Sequence, residues 1–458
     1  MSKQILIVGG GISGLTVLHY LKVKYANRKD VEIKLLERAS FLGGTIRTIR
    51  EDGFAFECGP NGFLASKPST LELISELGLN DSLVSANAAA KRRFICLAGI
   101  LNEIPLGPKS FLFFKPFSLK DKLRVLAEIA IPKGKNPNET IYEFGTRRLG
   151  KNFAELFLDP MVSGVFGGDC RKLHLKSAFP RIHEIEQTYG SLFKGAIALA
   201  LKKKKTDGAK RLQVEPKGVL TSFRAGMSEL IETLGVKYRD SIRVGEEVES
   251  LKKVNSRFIL QTKNGEYSAE EVFLSAPAYV SGSIIFYFNK LLAEELRKIP
   301  YAPMAVVGLV YKKSAFVKTP EGFGYLIPSR ENRSVLGALF SSNIFEGRAK
   351  EDYILLQVMI GGARHPEIAS TPKDELLKMA RTEIQDILQA RSAPEKEFFS
   401  FWPKAIPQYT QEYPACIEKI TCELGKIRGL YLAANYVGGV SVNDCIASAR
   451  LVAERSNL

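Results

Sequence analysis

Residues 4–37 constrain this chain more than any other stretch. QILIV at 4–8 is a short apolar run rich in β-branched residues, as in a buried parallel strand. Gly9, Gly10, Gly11, Ile12, Ser13 and Gly14 follow and fit G-x-G-x-x-G. A helical pattern then runs to about Lys24, with Leu15, Leu18 and Leu21 on one face, and VEIKLLE at 31–37 is a second strand. Gly9 allows a tight turn, Gly11 lets backbone approach a pyrophosphate, and Gly14 lets helix and strand pack closely. The helix start offers unpaired N–H groups and a positive dipole end to phosphates. Glu37 stands 23 residues past Gly14, where an acidic group binds ribose hydroxyls. The unit predicts dinucleotide binding.

A chain of 458 residues is expected to hold two or three domains, and 45% apolar with 25% charged residues suits an ordinary folded protein. Cys58, Cys96, Cys170, Cys416, Cys422 and Cys445 form no C-x-x-C pair, and His19, His174, His183 and His365 show no zinc spacing. Reduced thiols and no metal are expected. The net charge of +16 attracts anions, but no nucleic-acid motif is present, so no nucleic-acid partner is expected. The KKKK run at Lys202–Lys205 reads as a solvated loop or as a contact to acidic lipid. A strand already under way by residue 4 leaves no room for a signal or transit peptide, and no run of 18 apolar residues predicts a spanning helix.

Further dinucleotide-type signals recur far apart. ERASFLGGTIRT brings Glu37, Arg38, Gly43, Gly44, Thr45 and Arg47 into one stretch. It resembles the second fingerprint of the FAD-containing amine oxidase and phytoene desaturase superfamily, whose glycine pair and arginine pass close to the FAD phosphates. FRAGM at 223–227 resembles a glycine turn of that family, with Ala225 in place of its first glycine. In IRVGEEVESL at 242–251, Val248 would by resemblance pack on adenine. VFLSAPA at 272–278 is another buried strand, and LYLAAN near the C-terminus a last one. After it, Gly438–Gly439 let backbone pass close to something flat, and Asn443–Asp444 read as the N-cap of a helix from about 444 to 454. The resemblance implies that Val440, Ser441 and Val442 set main-chain N–H groups near the flavin's pyrimidine edge, where reduction places negative charge.

Two insertions separate these pieces. Residues 89–217 read as helical, after an aromatic and basic cluster FLFFKPF at 111–117. Residues 284–424 mix strands such as AVVGLVYKK at 305–313 with a helix at 371–390, for which Thr371 is the expected N-cap. The expected fold is α/β and α+β. A Rossmann-like FAD domain covers 1–88, 218–283 and 425–458. The helical insertion 89–217 is a candidate membrane-binding segment, and 284–424 is a mixed-sheet substrate domain.

Seven ordered segments narrow the resemblance to the protoporphyrinogen oxidase family: ECGPNGFLASKPS (57–69), KRRFICLAG (91–99), EFGTRRLG (143–150), GVFGGDCRKLHLKSAFP (164–180), GFGYLIP (322–328), WPKAIPQY (402–409) and NYVGGVSVNDCI (435–446). This implies oxidation of protoporphyrinogen IX to protoporphyrin IX in haem synthesis. Six electrons leave in three cycles of two, with hydride passing from a meso carbon to flavin N5. Dioxygen is the implied acceptor and gives hydrogen peroxide. The alternative within the family is coproporphyrinogen III to coproporphyrin III. No catalytic acid or base is assigned, because orientation and electrostatics carry such chemistry. By resemblance Arg93 pairs with a propionate, and Phe323, Gly324, Leu326 and Leu339 line the macrocycle slot. Non-covalent FAD would contact Gly9 to Gly14, Glu37, Arg38, Gly44, Thr45, Gly59, Pro60, Asn61, Gly62, Val248, Trp402 and Val440 to Val442. Many amine oxidases carry a lysine near the flavin, and by rough alignment Val307 takes its place here. The resemblance also implies peripheral attachment on the cytoplasmic side of a membrane, with a cytoplasmic location as the other choice. It allows a homodimer and handover of product to a metal-inserting enzyme.

Overall fold

A computed structural model describes residues 3–206 and 218–458, of which 202–206 are described without their side chains. The backbone of Lys202–Lys205 continues the helix Leu192–Thr206 rather than forming a loop, and the run's side chains lie outside the described residues. The chain divides into two compact units, Met1–Ala86 with Pro216–Pro300 and Pro414–Leu458, and Asn87–Glu215 with Tyr301–Tyr413.

This division departs from the expected boundaries in two ways. Residues 284–300 and 414–424 belong with the dinucleotide unit. Helix Lys290–Arg297 buries Leu292, Ala293 and Leu296, and Cys416 of the helix Tyr413–Gly425 donates from Sγ to the Glu295 carbonyl at 3.1 Å. Likewise, the helical insertion and the mixed sheet form one unit rather than two. Strand Arg93–Leu97 from the insertion joins the sheet beside Gly324–Leu326.

The first unit is built on a five-stranded parallel sheet. Its order is Ile242–Val244, Val31–Glu37, Lys3–Val8, Glu271–Leu274 and Leu430–Leu432. Ile5, Ile7, Ile33, Leu35 and Phe273 pack with Leu15, Leu18 and Leu21 of helix Ile12–Lys24 and with Ile446 and Ala449 of helix Val442–Glu454. The N-cap of that last helix is Ser441, whose Oγ accepts from Asp444 N at 3.1 Å, so the expected Asn443–Asp444 cap is wrong by two residues. Asn443 is instead engaged at long range. Its Nδ2 donates to the Leu64 carbonyl, and its Oδ1 accepts from Thr70 Oγ1, both at 2.8 Å.

The second unit holds a seven-stranded mixed sheet, in the order Lys396–Pro407, Tyr301–Lys312, Tyr353–Gly361, Val335–Leu339, Gly324–Leu326, Arg93–Leu97 and Ile100–Glu103. Helix Lys373–Leu388 covers one face. Leu376, Leu377, Ala380 and Ile384 pack there on Val307, Leu309, Tyr325, Ala338, Leu356 and Val358. The residue capping this helix is Pro372, not Thr371. Proline has no N–H to lose at a helix start, and Thr371 Oγ1 donates back to the Glu367 carbonyl at 3.2 Å.

In the helical part, capping boxes at Ser118/Asp121 and Thr140/Glu143 start the helices Leu119–Leu126 and Ile141–Leu149. The aromatic cluster divides. Phe114 and Phe117 are buried with Val125, Leu149 and Leu156, whereas Leu112 and Phe113 project outward, Phe113 at 83% exposure. Pro160 interrupts the run of helix from Lys151 to Phe166. Its ring would clash with the carbonyl four residues back, and the preceding segment Ala154–Leu158 is wound as a wider π-type turn.

Candidate functional site

The nucleotide-type residues converge at the carboxyl ends of the parallel strands. Gly9 has φ 110°, and a Cβ there would stand 3.0 Å from Ala276 N in the Ala276–Pro277 turn. A methyl on Gly14 would collide with the Gly9 carbonyl oxygen. Gly11 is different, because a Cβ on it meets nothing within 4 Å. It is the N-cap of helix Ile12–Lys24, has no side-chain cap, and no acidic residue follows in the first turn. The second fingerprint lies directly against the first. Gly43 N donates to the Gly10 carbonyl at 2.8 Å, and a Cβ on Gly44 would meet only Gly11 Cα, at 3.8 Å. Two open glycines therefore face an uncapped helix start, which is the shape and polarity that a pyrophosphate requires.

Glu37 closes this cradle. Its carboxylate accepts from Gly10 N at 2.6 Å and from Ala39 N at 2.7 Å. Glu246 N donates to the Glu37 carbonyl at 2.8 Å, which brings buried Val248 to the same sheet edge, and Arg38 is next in chain. A Cβ on Gly59 would collide with the Thr45 carbonyl, so the segment Gly59, Pro60, Asn61 and Gly62 starts against the second fingerprint. Val440, Ser441 and Val442 begin the helix Val442–Glu454 after two glycines at φ 93° and 132°. Tyr436 anchors the preceding turn. Its buried hydroxyl lies 3.4 Å from Ser281 Oγ, and burial pushes the phenol pKa well up. These residues fit FAD on the evidence of the open glycines, the uncapped helix start and the carboxylate edge.

The residues expected to bind substrate lie together in the second unit. Side chains alternate across a strand, so the residues between those facing helix Lys373–Leu388 point to the other face. One row across the sheet reads Arg93, Gly324, Leu339, Gln357, Gly308 and Phe398. Leu326 lies in the next row beside Ile95 and Gly337, and Trp402, opposite Met304, shares the face. The Arg93 guanidinium sits 4.6 Å from the Phe323 ring centroid. Its neighbour Arg92 takes the ion pairs, to Glu103 at 3.0 Å and Glu321 at 3.4 Å. Among the described residues Arg93 has no carboxylate partner. Val307, the aligned counterpart of the amine-oxidase lysine, is buried on the opposite face against helix Lys373–Leu388.

Sequence reading made the region of helix Asp159–Phe166 helical but gave it no place at the site. It lies on this same face, and a Cβ on Gly164 would stand 3.0 Å from Leu326 Cδ2. Met161, Gly164 and Val165 form an exposed stripe beside Leu326. The available signal was the 3–4 residue spacing of those positions, two of which open the segment 164–180 matched to the family.

Comparison with known proteins shows the family to which the chain belongs. "Protoporphyrinogen oxidase 1, chloroplastic" of Spinacia oleracea is 32% identical over 97% of this chain and 82% of its own length. "Coproporphyrinogen III oxidase" of Bacillus subtilis is 25% identical over 97% of this chain and 96% of its own. The crystal structure of an Exiguobacterium sp. 255-15 protein, assigned provisionally as a protoporphyrinogen oxidase, superposes with a TM-score of 0.84 at 25% identity. It covers 99% of this chain and 98% of that one. The profile for flavin containing amine oxidoreductases matches residues 12–456, and the chain belongs to that family.

Proposed function

We propose that this protein is an FAD oxidoreductase that converts protoporphyrinogen IX to protoporphyrin IX. Arg93 carries the reading. It is a cation without a carboxylate partner among the described residues, held over an aromatic ring and bordered by Gly324, Leu339 and Leu326. A flat apolar macrocycle bearing propionates needs such a surface, with one cation to fix its orientation. Bound FAD supplies a two-electron acceptor that dioxygen can reoxidise to give hydrogen peroxide, so six electrons require three rounds.

The protein's own part is binding, orientation and exclusion of water. The amides around Gly11 to Ser13 hold the pyrophosphate, and Glu37 holds ribose hydroxyls. Arg93 fixes a carboxylate, while Leu326 and Leu339 desolvate the ring. No buried acid–base pair is required, because the pyrrole protons can leave to water. Coproporphyrinogen III is the second reading, favoured by the full-length likeness to the Bacillus protein.

Arg93→Ala tests the role of the cation. Loss of a charge-assisted contact costs about 1.5–3 kcal/mol, or roughly ten- to a hundredfold in kcat/KM. The loss should appear in KM, with flavin content unchanged. An unaltered KM would remove Arg93 from the substrate site.

We further propose peripheral attachment to a membrane surface. No helix of the described residues is long and apolar enough to cross a membrane. Leu119, Leu123 and Leu126 form one exposed face of helix Leu119–Leu126, near exposed Leu112 and Phe113 in sequence. Exposed Lys109, Lys115 and Lys120 intersperse them, a pattern suited to an acidic lipid surface.

A further inference from the structure

Helix Asp159–Phe166 is fastened at both ends to the sheet face that carries Leu326. At its C-terminal end, Gln408 Nε2 donates to the Phe166 carbonyl at 2.8 Å, and Ala363 N donates to the Gly167 carbonyl at 2.6 Å. At its N-terminal end stands Asp159, which is 3% exposed. Its two carboxylate oxygens accept from Arg364 Nη1 at 2.9 and 3.0 Å, and Oδ2 also accepts from Ser329 N at 2.7 Å. Cys170 Sγ donates to Oδ1 at 3.5 Å. One carboxylate thus ties the helix to the loop after strand Tyr353–Gly361, the turn after Gly324–Leu326 and the Cys170 turn.

These contacts fall where the helix is least able to hold itself. Pro160 has no N–H, and the turn before it is wound wide. The carboxylate therefore does little for the helix as a helix, and instead fixes where it sits. A Cβ on Gly164, less than two turns from that anchor, would stand 3.0 Å from Leu326 Cδ2, so only glycine leaves the helix room beside this side chain.

We infer that Asp159 and Arg364 are a positioning pair that sets the spacing between helix Asp159–Phe166 and the Leu326–Leu339 surface, and so the fit of the substrate. The inference rests on the porphyrinogen reading of that surface. Without the anion, Arg364 loses its partner and the helix is free to shift against Leu326. Neither residue touches the reacting atoms, so the effect belongs in substrate affinity rather than in the chemical step.

The test compares wild type with Asp159→Asn, which keeps shape and one acceptor, and Arg364→Lys, which keeps charge. KM, kcat, flavin content, thermal midpoint and amide hydrogen exchange of residues 159–166 are measured on flavin-loaded protein. Asp159→Asn is expected to raise KM about tenfold with kcat and flavin content kept, to lose protection in 159–166, and Arg364→Lys to fall between. Wild-type KM in both variants, whatever the thermal midpoint, would overturn the pairing. If Asp159→Asn does not fold, Arg364→Lys decides alone by the same KM criterion. Wild type that oxidises neither porphyrinogen would instead sink the reading of the surface. Exchange in 159–166 would then decide the positioning role, and unchanged protection in Arg364→Lys would overturn it.

Discussion

Gly14→Ala and Gly11→Ala should separate folding from flavin binding. A methyl at Gly14 would collide with the Gly9 carbonyl and stand 3.2 Å from Ser275 Cβ, inside the turn that joins the first strand to its helix. Backbone must move to admit it. The variant is expected to lose nearly all of its flavin and to melt at a lower temperature. At Gly11 the same methyl meets nothing within 4 Å, so the fold and melting temperature should survive. The added group would occupy the approach that a pyrophosphate uses, and flavin affinity should fall at least tenfold, about 1.4 kcal/mol. Flavin absorbance per protein and a thermal melt check both. Normal flavin binding by Gly11→Ala would refute the assignment of the cradle.

Arg148→Met is expected to be the most destabilising single change in the helical part. Arg148 is fully buried, donating to Glu186 Oε1 at 2.6 Å and to Glu128 Oε1 at 3.1 Å, and to the carbonyls of Ile131 and Gly190. Glu128 and Glu186 are equally buried, and Glu128 also accepts from Ser191 Oγ at 2.6 Å and Leu192 N at 2.8 Å. Methionine fills much of the volume but leaves buried Glu128 with neutral donors alone and Glu186 with Arg147 as its remaining cation, which costs about 3–5 kcal/mol. The acid dependence follows from Glu186. Burial alone would raise its pKa, but hydrogen bonds from Arg147 and Arg148 outweigh this and hold it below the ordinary value of 4.5. A depressed carboxyl contributes its full stability above that ordinary value and loses it as pH falls below. Wild type should therefore weaken below about pH 4.5, whereas Arg148→Met should start lower and fall less. Denaturant midpoints across that range would show it, and equal midpoints at neutral pH would contradict it.

The dinucleotide half was legible because its chemistry is local. Gly9, Gly11, Gly14 and Glu37 act within one strand–helix–strand unit, and each conformational demand is met by the residue that carries it. The second fingerprint was equally legible, and its Gly43 lies hydrogen-bonded to Gly10. The proposed substrate face was legible only by resemblance. Arg93, Leu326 and Leu339 come from separate segments, and only sheet register puts them on one side. The same long-range dependence explains the misreadings. Asn443 looked like a cap, yet Leu64 and Thr70 claim its side chain. Residues 284–300 and 414–424, both in the dinucleotide unit, meet through Glu295 and Cys416, more than a hundred positions apart. Asp159 and Arg364 are 205 residues apart, and no local pattern links them.

The central claim is tested most directly by following porphyrin fluorescence in air as the flavin-loaded protein turns over protoporphyrinogen IX and coproporphyrinogen III in parallel. The account predicts oxidation of both above the autoxidation blank, with the higher kcat/KM for protoporphyrinogen IX. Fully loaded protein that accelerates neither would contradict it.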